Sequence, residues 1–229
     1  MRYFLRLTAD LRSYARRIGL TRIVNAFRRS GSSVYEDRFA KALLGAVRPG
    51  DCVWDVGANV GYYTAKLADL TGEAGFVYAF EPAPACAASL RGQFGHKVTV
   101  IDSARGNVET FLPLAVADDP LASTHSLCSA AKAAVQVKVT TGDQLVCWNR
   151  VCPPNVIKID VEGYEIEVLE GLGHTLRSSR CRAVFVEVHF GILDRRGDRY
   201  APLKVAGLLQ EAGLRTRWID ALHIAAIRK

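Results

Sequence analysis

"CVWDVGANVGYYTAKLADL", residues Cys52 to Leu70, passes from an apolar strand through a tight turn straight into an amphipathic helix. Gly57 and Gly61 bracket the turn. Such a turn needs residues that tolerate φ > 0, which glycine and asparagine do at low cost. Asn59 is therefore expected to stand where a third glycine would be. In the helix, Tyr63, Leu67 and Leu70 share one face and Gly72 closes it. In open α/β sheets, ligands bind beyond the carboxyl ends of the strands, near the point where strand order reverses. This turn is the first candidate for a ligand loop.

Strands and helices alternate on both sides of it. Upstream, a helix is expected over about residues 35–47, ended by "RPGD". Downstream come strand "GFVYAFE", stopped by Pro82, and helix "APACAASLRGQF". "ETFLPLAV" and "VQVKVTT" read as strands flanking a polar loop from Ala117 to Lys132. Then follow strand "NVIKIDV", one helix over "EIEVLEGLGHTL", strand "AVFVEVHF", helix "PLKVAGLLQEAG", and the paired strands "LRTRWID" and "LHIAAIRK". This alternation implies an α/β fold with a doubly wound, mostly parallel sheet. The short connection at Ala221 implies a terminal antiparallel hairpin.

The chain has 229 residues, 49% of them hydrophobic and 23% charged, as expected for one domain with a sizeable core. Its charge is uneven. Residues 1–30 hold eight arginines and one acid, Asp10, for +7; the whole chain is also +7, so the remainder balances to zero. Residues 1–33 are read as a basic helical arm and linker, and 34–229 as the domain. Tyr3, Leu7, Leu11, Tyr14 and Ile18 give the arm helical periodicity. It could pack on the domain, lie on anionic lipid as a peripheral anchor, or meet a nucleic acid or partner protein. A neutral domain argues against nucleic acid. No run approaches the roughly 18 apolar residues of a membrane span, and the start does not read as a secretory signal. A cytoplasmic protein is expected, with contact at a membrane surface as one role open to the arm. The six scattered cysteines contain no C-x-x-C pair and are expected to be reduced.

Charged residues collect at the strand ends. Asp55 lies two residues before Gly57, and Glu81 twenty residues past Gly61. An acid at Glu81 can accept hydrogen bonds from both ribose hydroxyls of an adenosine ligand. A pyrophosphate would be opposed by an acid in the turn, whereas S-adenosylmethionine carries an ammonium and a sulfonium and no phosphate. The D-x-G-x-N-x-G spacing therefore favours that cofactor over NAD. In "VIKIDVEG", strand alternation puts Lys158 and Asp160 on one face. Asp160 is a candidate general base or hydroxyl-orienting acceptor, or else a carboxylate paired with Lys158. Glu162 is a candidate for acceptor or ammonium binding, or for bonding the amides of the next helix. Lys158 is placed with the acceptor-binding group, with a strand ion pair as the alternative. Glu165 and Glu167 are expected on a solvated first helical turn. Glu187 and His189, ending the next strand, are candidates to join Asp160 in catalysis. These three could also ligate a divalent metal, but no tight spacing supports it and no metal is assigned.

In order along the chain, "DVGANVGYYT", "AFEP", "IKIDVEGYEIEVLEG" and "VFVEVH" resemble the FkbM family of S-adenosylmethionine-dependent methyltransferases. The resemblance spans roughly Gly50 to Phe190. It implies a class I (Rossmann-like) methyltransferase fold with seven strands, the last antiparallel, and O-methylation of a small-molecule or glycan hydroxyl. It implies that Asp55, Gly57, Asn59 and Gly61 form the cofactor loop, that Glu81 anchors the ribose, and that Asp160, Glu162 and Gly163 form the substrate-facing strand end. The chain departs from the family pattern at Thr141–Leu145 and aligns poorly over residues 95–119, where the adenine contact is expected at Asp118 or, second, Asp102. RNA methylation, and a non-catalytic cofactor-binding module recruiting a partner through the arm, are the competing readings.

Overall fold

The computed structural model describes residues 38–115, 126–127 and 134–229; the expected arm, and Asp118, lie outside them. A helix over residues 38–44 (α1) leads into strand β1 (Cys52–Val56) and helix α2 (Tyr62–Thr71). Then come β2 (Phe76–Phe80), α3 (Pro84–Phe94) and β3 (Val98–Ile101). Pro84 starts α3, where its missing N–H costs nothing. After an excursion described below, the chain returns with β8 (Val156–Ile159) and β9 (Ala183–Glu187), and closes with β10 (Arg215–Trp218) and β11 (His223–Ile227).

These seven strands form one sheet in the order β10-β11-β9-β8-β1-β2-β3. All neighbours pair in parallel except those of β11, which is antiparallel to both β10 and β9. The expected seven-stranded sheet and terminal hairpin are both present. Chain order reverses between β1 and β8, so the crevice for a ligand opens there. Side chains alternate across the sheet. Trp54, Phe80, Ile157 and Ile159 enter one core cluster, while Val53, Val77 and Val156 enter the other with Phe39, Leu43, Leu67 and Leu90. A central parallel strand buried on both faces must be apolar throughout. Asp55 and Lys158 break that rule at facing positions in the β1–β8 register.

Between β3 and β8 lies a second, four-stranded sheet that the sequence reading did not anticipate as a unit. Its strands are β4 (Ala104–Arg105), β5 (Thr110–Ala115), β6 (Ser126–Leu127) and β7 (Ala134–Thr140), in the order β4-β7-β5-β6. The two longer members are the strands expected from "ETFLPLAV" and "VQVKVTT". Helix α4 (Gly142–Cys147) follows, capped by the Thr141 hydroxyl on the Gln144 amide at 3.1 Å.

The single helix expected over "EIEVLEGLGHTL" is two, α5 (Glu165–Glu170) and α6 (Gly173–Arg177). The second sheet causes the break. A Cβ on Gly171 would sit 1.9 Å from the carbonyl oxygen of Gly106, just past β4, so glycine is required where the two backbones meet. Asp143 caps the restarted helix by accepting the amides of His174 and Thr175, both at 2.7 Å. The strand expected over "AVFVEVHF" also stops early, because Phe190 begins helix α7 (Phe190–Arg195); α8 (Ala201–Glu211) follows it. No helix among the described residues is long and apolar enough to cross a membrane.

Candidate active site

The turn after β1 adopts the backbone that its composition demands. Gly57, Asn59 and Gly61 all have positive φ, at 79°, 51° and 90°. Gly57 is fixed by close approach as well: a Cβ there would lie 1.8 Å from the Asp160 carbonyl oxygen. The loop therefore rests directly on the end of β8, and the Asp160 amide donates to Val56 O at 3.0 Å.

Asp55 and Lys158 support this loop from below. The Lys158 ammonium donates to Gly57 O at 2.8 Å and pairs with Asp55 at 3.0 Å and Asp160 at 3.5 Å. Asp55 also accepts from the Thr64 hydroxyl, 2.7 Å away on α2. Both side chains are buried, and neither lines the cleft above. The Asp55 carboxylate, placed in the cofactor loop on sequence grounds, is thus already neutralised by Lys158. Lys158, grouped with the acceptor-binding residues, holds the loop carbonyl.

Above the loop an open cleft runs past Gly57, Asn59, Glu81, Ala104, Asp160, Glu162 and Tyr164. Glu81 sits in its wall, accepting the amides of Asn59 and Ala83, each at 2.8 Å. It thereby ties the glycine loop to the start of α3. Asp102 is exposed, paired with Arg91 at 3.0 Å, and is not part of the cleft wall.

At the cleft mouth the ends of β8 and β9 bring four acids around one imidazole. His189 Nε2 lies 3.3 Å from Glu162, 3.7 Å from Asp160 and 3.9 Å from Glu187. Glu162 and Gly163 take successive left-handed conformations, φ 50° and 93°. A non-glycine residue there carries strain of about 1–2 kcal/mol, held in place by the surrounding contacts. Glu187 also meets His223 Nε2 at 3.4 Å, and the other ring nitrogen of His223 bonds Asp220 at 2.8 Å.

The fourth acid is Glu165, expected on a solvated turn but fully buried. Its Oε1 accepts the Gly163 amide at 2.9 Å and lies 2.6 Å from His189 Nδ1. It therefore sets which nitrogen of His189 faces Asp160 and Glu162. Sequence reasoning missed it because its partner stands 24 residues away on another element. Glu167 is the helix acid nearer solvent, bonded to Arg196, which also donates to Gly163 O.

Burial alone would lower the basicity of His189. The hydrogen bond to Glu165 and the charges of Glu165, Asp160 and Glu162 outweigh it and raise its pKa to about 9. Glu162 moves up to about 7, chiefly through burial and against the opposing pull of His189. Burial also raises Asp160, with Lys158 opposing and Glu187 adding. For Glu187 burial is overcome by His223, His189 and Lys158, and its pKa is lowered. At neutral pH the cluster thus holds an imidazolium, and one carboxyl poised near neutrality. Ligand atoms of Asp160, Glu162 and His189 also lie within 4.8 Å of one another, a spacing that a divalent cation could share.

Comparison with known proteins speaks to the family and the fold. A model of the methyltransferase FkbM domain matches residues 55–216. The hexuronic acid methyltransferase AglP of Haloferax volcanii is 30% identical over 211 residues, 92% of this chain and 82% of that protein. A solved structure described as a candidate rRNA methylase from Clostridium thermocellum superposes with TM-score 0.54 at 14% identity, covering 83% of this chain and 95% of that one. SMU.1697c of Streptococcus mutans, a candidate methyltransferase in complex with SAH, gives TM-score 0.51 at 11% identity, covering 83% and 95%. At such identities the two structures speak to the fold, which is that of class I methyltransferases.

Proposed function

Because this chain belongs to the FkbM family of S-adenosylmethionine-dependent methyltransferases, we propose that it methylates a hydroxyl of a sugar acceptor, free or within a glycan. The observation that carries the chemistry is the Asp160–Glu162–His189 cluster at the open end of β8, beside the glycine loop. AglP, a hexuronic acid methyltransferase by name, supports a sugar.

The cofactor supplies an activated methyl group on a good leaving group. The residues suited to hold it are the loop Gly57–Gly61, of which Gly57 and Asn59 line the cleft, and Glu81, whose carboxylate stands in the wall where ribose hydroxyls would bind. Replacing Glu81 with alanine removes a charged acceptor and releases the Asn59 amide. S-adenosylmethionine affinity measured by calorimetry should fall by about tenfold or more. Unchanged affinity would mean that another residue anchors the ribose.

A sugar hydroxyl is a poor nucleophile until its proton is taken. Asp160 is held by Lys158 and suits orienting the hydroxyl. Glu162, with its pKa near 7 and no permanent cation beside it, suits removing the proton. His189 in its charged form steadies both carboxylates. Activity then has two limbs. The base must be ionised, so kcat/KM should rise as pH passes through about 7. It should fall again as His189 loses its proton through about 9. A profile flat between pH 6 and 10 would exclude this assignment. The direct test is transfer of labelled methyl from S-adenosylmethionine to a panel of uronic-acid and neutral sugars; methylation of RNA but of no sugar would overturn the acceptor class.

A further inference from the structure

Arg105, on the two-residue strand β4, is only 2% exposed yet forms part of the cleft wall. Its guanidinium lies over the Phe80 ring, 4.8 Å from the centroid. One terminal nitrogen, Nη2, donates to the carbonyl and the hydroxyl of Ser103. Among the described residues, Nε and Nη1 are buried without a hydrogen-bond partner and no carboxylate pairs with the side chain. A guanidinium is rarely buried unless paired, since its desolvation is otherwise uncompensated. An orphaned buried donor in a native structure calls for an explanation.

The surroundings supply one. Arg105 is the one cationic residue among the described residues lining the cleft. The acids in that wall are engaged elsewhere: Glu81 with two amides, Asp160 with Lys158, Glu162 with His189. The next residue, Gly106, approaches Tyr164, two positions past Glu162. Arg105 therefore stands where the second sheet meets the cleft, its guanidinium over Phe80 and its neighbour Gly106 against Tyr164.

We propose that Arg105 recognises an anionic group on the acceptor, a carboxylate of a uronic-acid sugar, through its unpaired Nε and Nη1. This rests on the sugar-acceptor reading and narrows it to acidic sugars. A guanidinium already stripped of water gains a charge-assisted hydrogen bond without paying for desolvation again. Neutral hexoses leave those donors orphaned, and a site built for a charged partner rejects an analogue that lacks it.

The test is calorimetric, on the full chain saturated with S-adenosylhomocysteine and titrated with methyl glucuronoside or methyl glucoside. The wild type should bind the glucuronoside at least about tenfold more tightly. Arg105→Met should weaken glucuronoside binding by about tenfold to a hundredfold, collapsing the preference, and Arg105→Lys should restore part of it. Removing an unpaired buried charge should leave the melting temperature unchanged or raised, which guards against misfolding. Binding of both sugars with equal affinity overturns the inference and leaves the sugar reading standing. Binding of neither overturns both. Loss of S-adenosylmethionine affinity in Arg105→Met, as large as the loss for the sugar, would reassign Arg105 to the carboxylate of the cofactor.

Discussion

Glu162→Gln is expected to lower kcat by about 10² to 10⁴, the contribution of a positioned general base, with S-adenosylmethionine affinity nearly unchanged. The substitution keeps size, leaves the φ 50° backbone with a side chain of similar shape, and removes only the ability to take a proton. His189 loses one of its carboxylates but keeps Glu165, 2.6 Å away, so the ring should stay in place. The rising limb of the pH profile should disappear with the base. Asp160→Asn is the contrasting variant. It deprives Lys158 of one of two counter-charges and weakens the hold on the hydroxyl, so acceptor KM should rise while the limb near pH 7 persists. Were Asp160→Asn to abolish that limb and Glu162→Gln to spare it, the two roles would have to be exchanged.

The second large effect lies beneath the site. Lys158→Met should destabilise the protein by about 3–5 kcal/mol, because it strands the Asp55 carboxylate in the core with the Thr64 hydroxyl as its one side-chain partner among the described residues. For a domain of this size each kcal/mol moves the melting temperature by roughly 2–4 °C, so a loss of about 6–20 °C is expected. Adding Asp55→Leu should recover much of it, since an apolar pair of similar volume often replaces a buried ion pair without loss. The double variant would still lack the hydrogen bond to Gly57 O that seats the cofactor loop, and should bind S-adenosylmethionine poorly although folded. A single variant that melts like wild type would show that the pair carries no stability.

Much of this could be read from the chain. Gly57, Asn59 and Gly61 announce left-handed backbone by residue type, and alternation places Lys158 and Asp160 on one face because the period of a strand is two. Acids at the ends of apolar strands pointed to the cleft. What could not be read are contacts between distant segments. Glu165 looks like any first-turn glutamate until His189 is brought against it. Gly171 looks like a helix interior until Gly106 meets it and splits the helix. Arg105 lies in a stretch too short to announce itself as a strand, and only the fold reveals that two of its nitrogens are buried with no hydrogen-bond partner among the described residues. The function of Asp55 was legible as important and not as structural, because its partner is more than a hundred positions away.

That separation bears on how the molecule comes into being. The lysine that props up the loop is synthesised 101 residues after the glycine carbonyl it holds, and β8 is the central strand on which β1 must zip. Closing so long a segment carries an entropic cost that nearby contacts do not share. During translation the first strand, turn and helix can form early, but the acid at position 55 has no counter-ion until Lys158 has been added and has docked. A nascent chain stopped before that point should be unable to retain the cofactor, and binding competence should appear abruptly once β8 clears the ribosome.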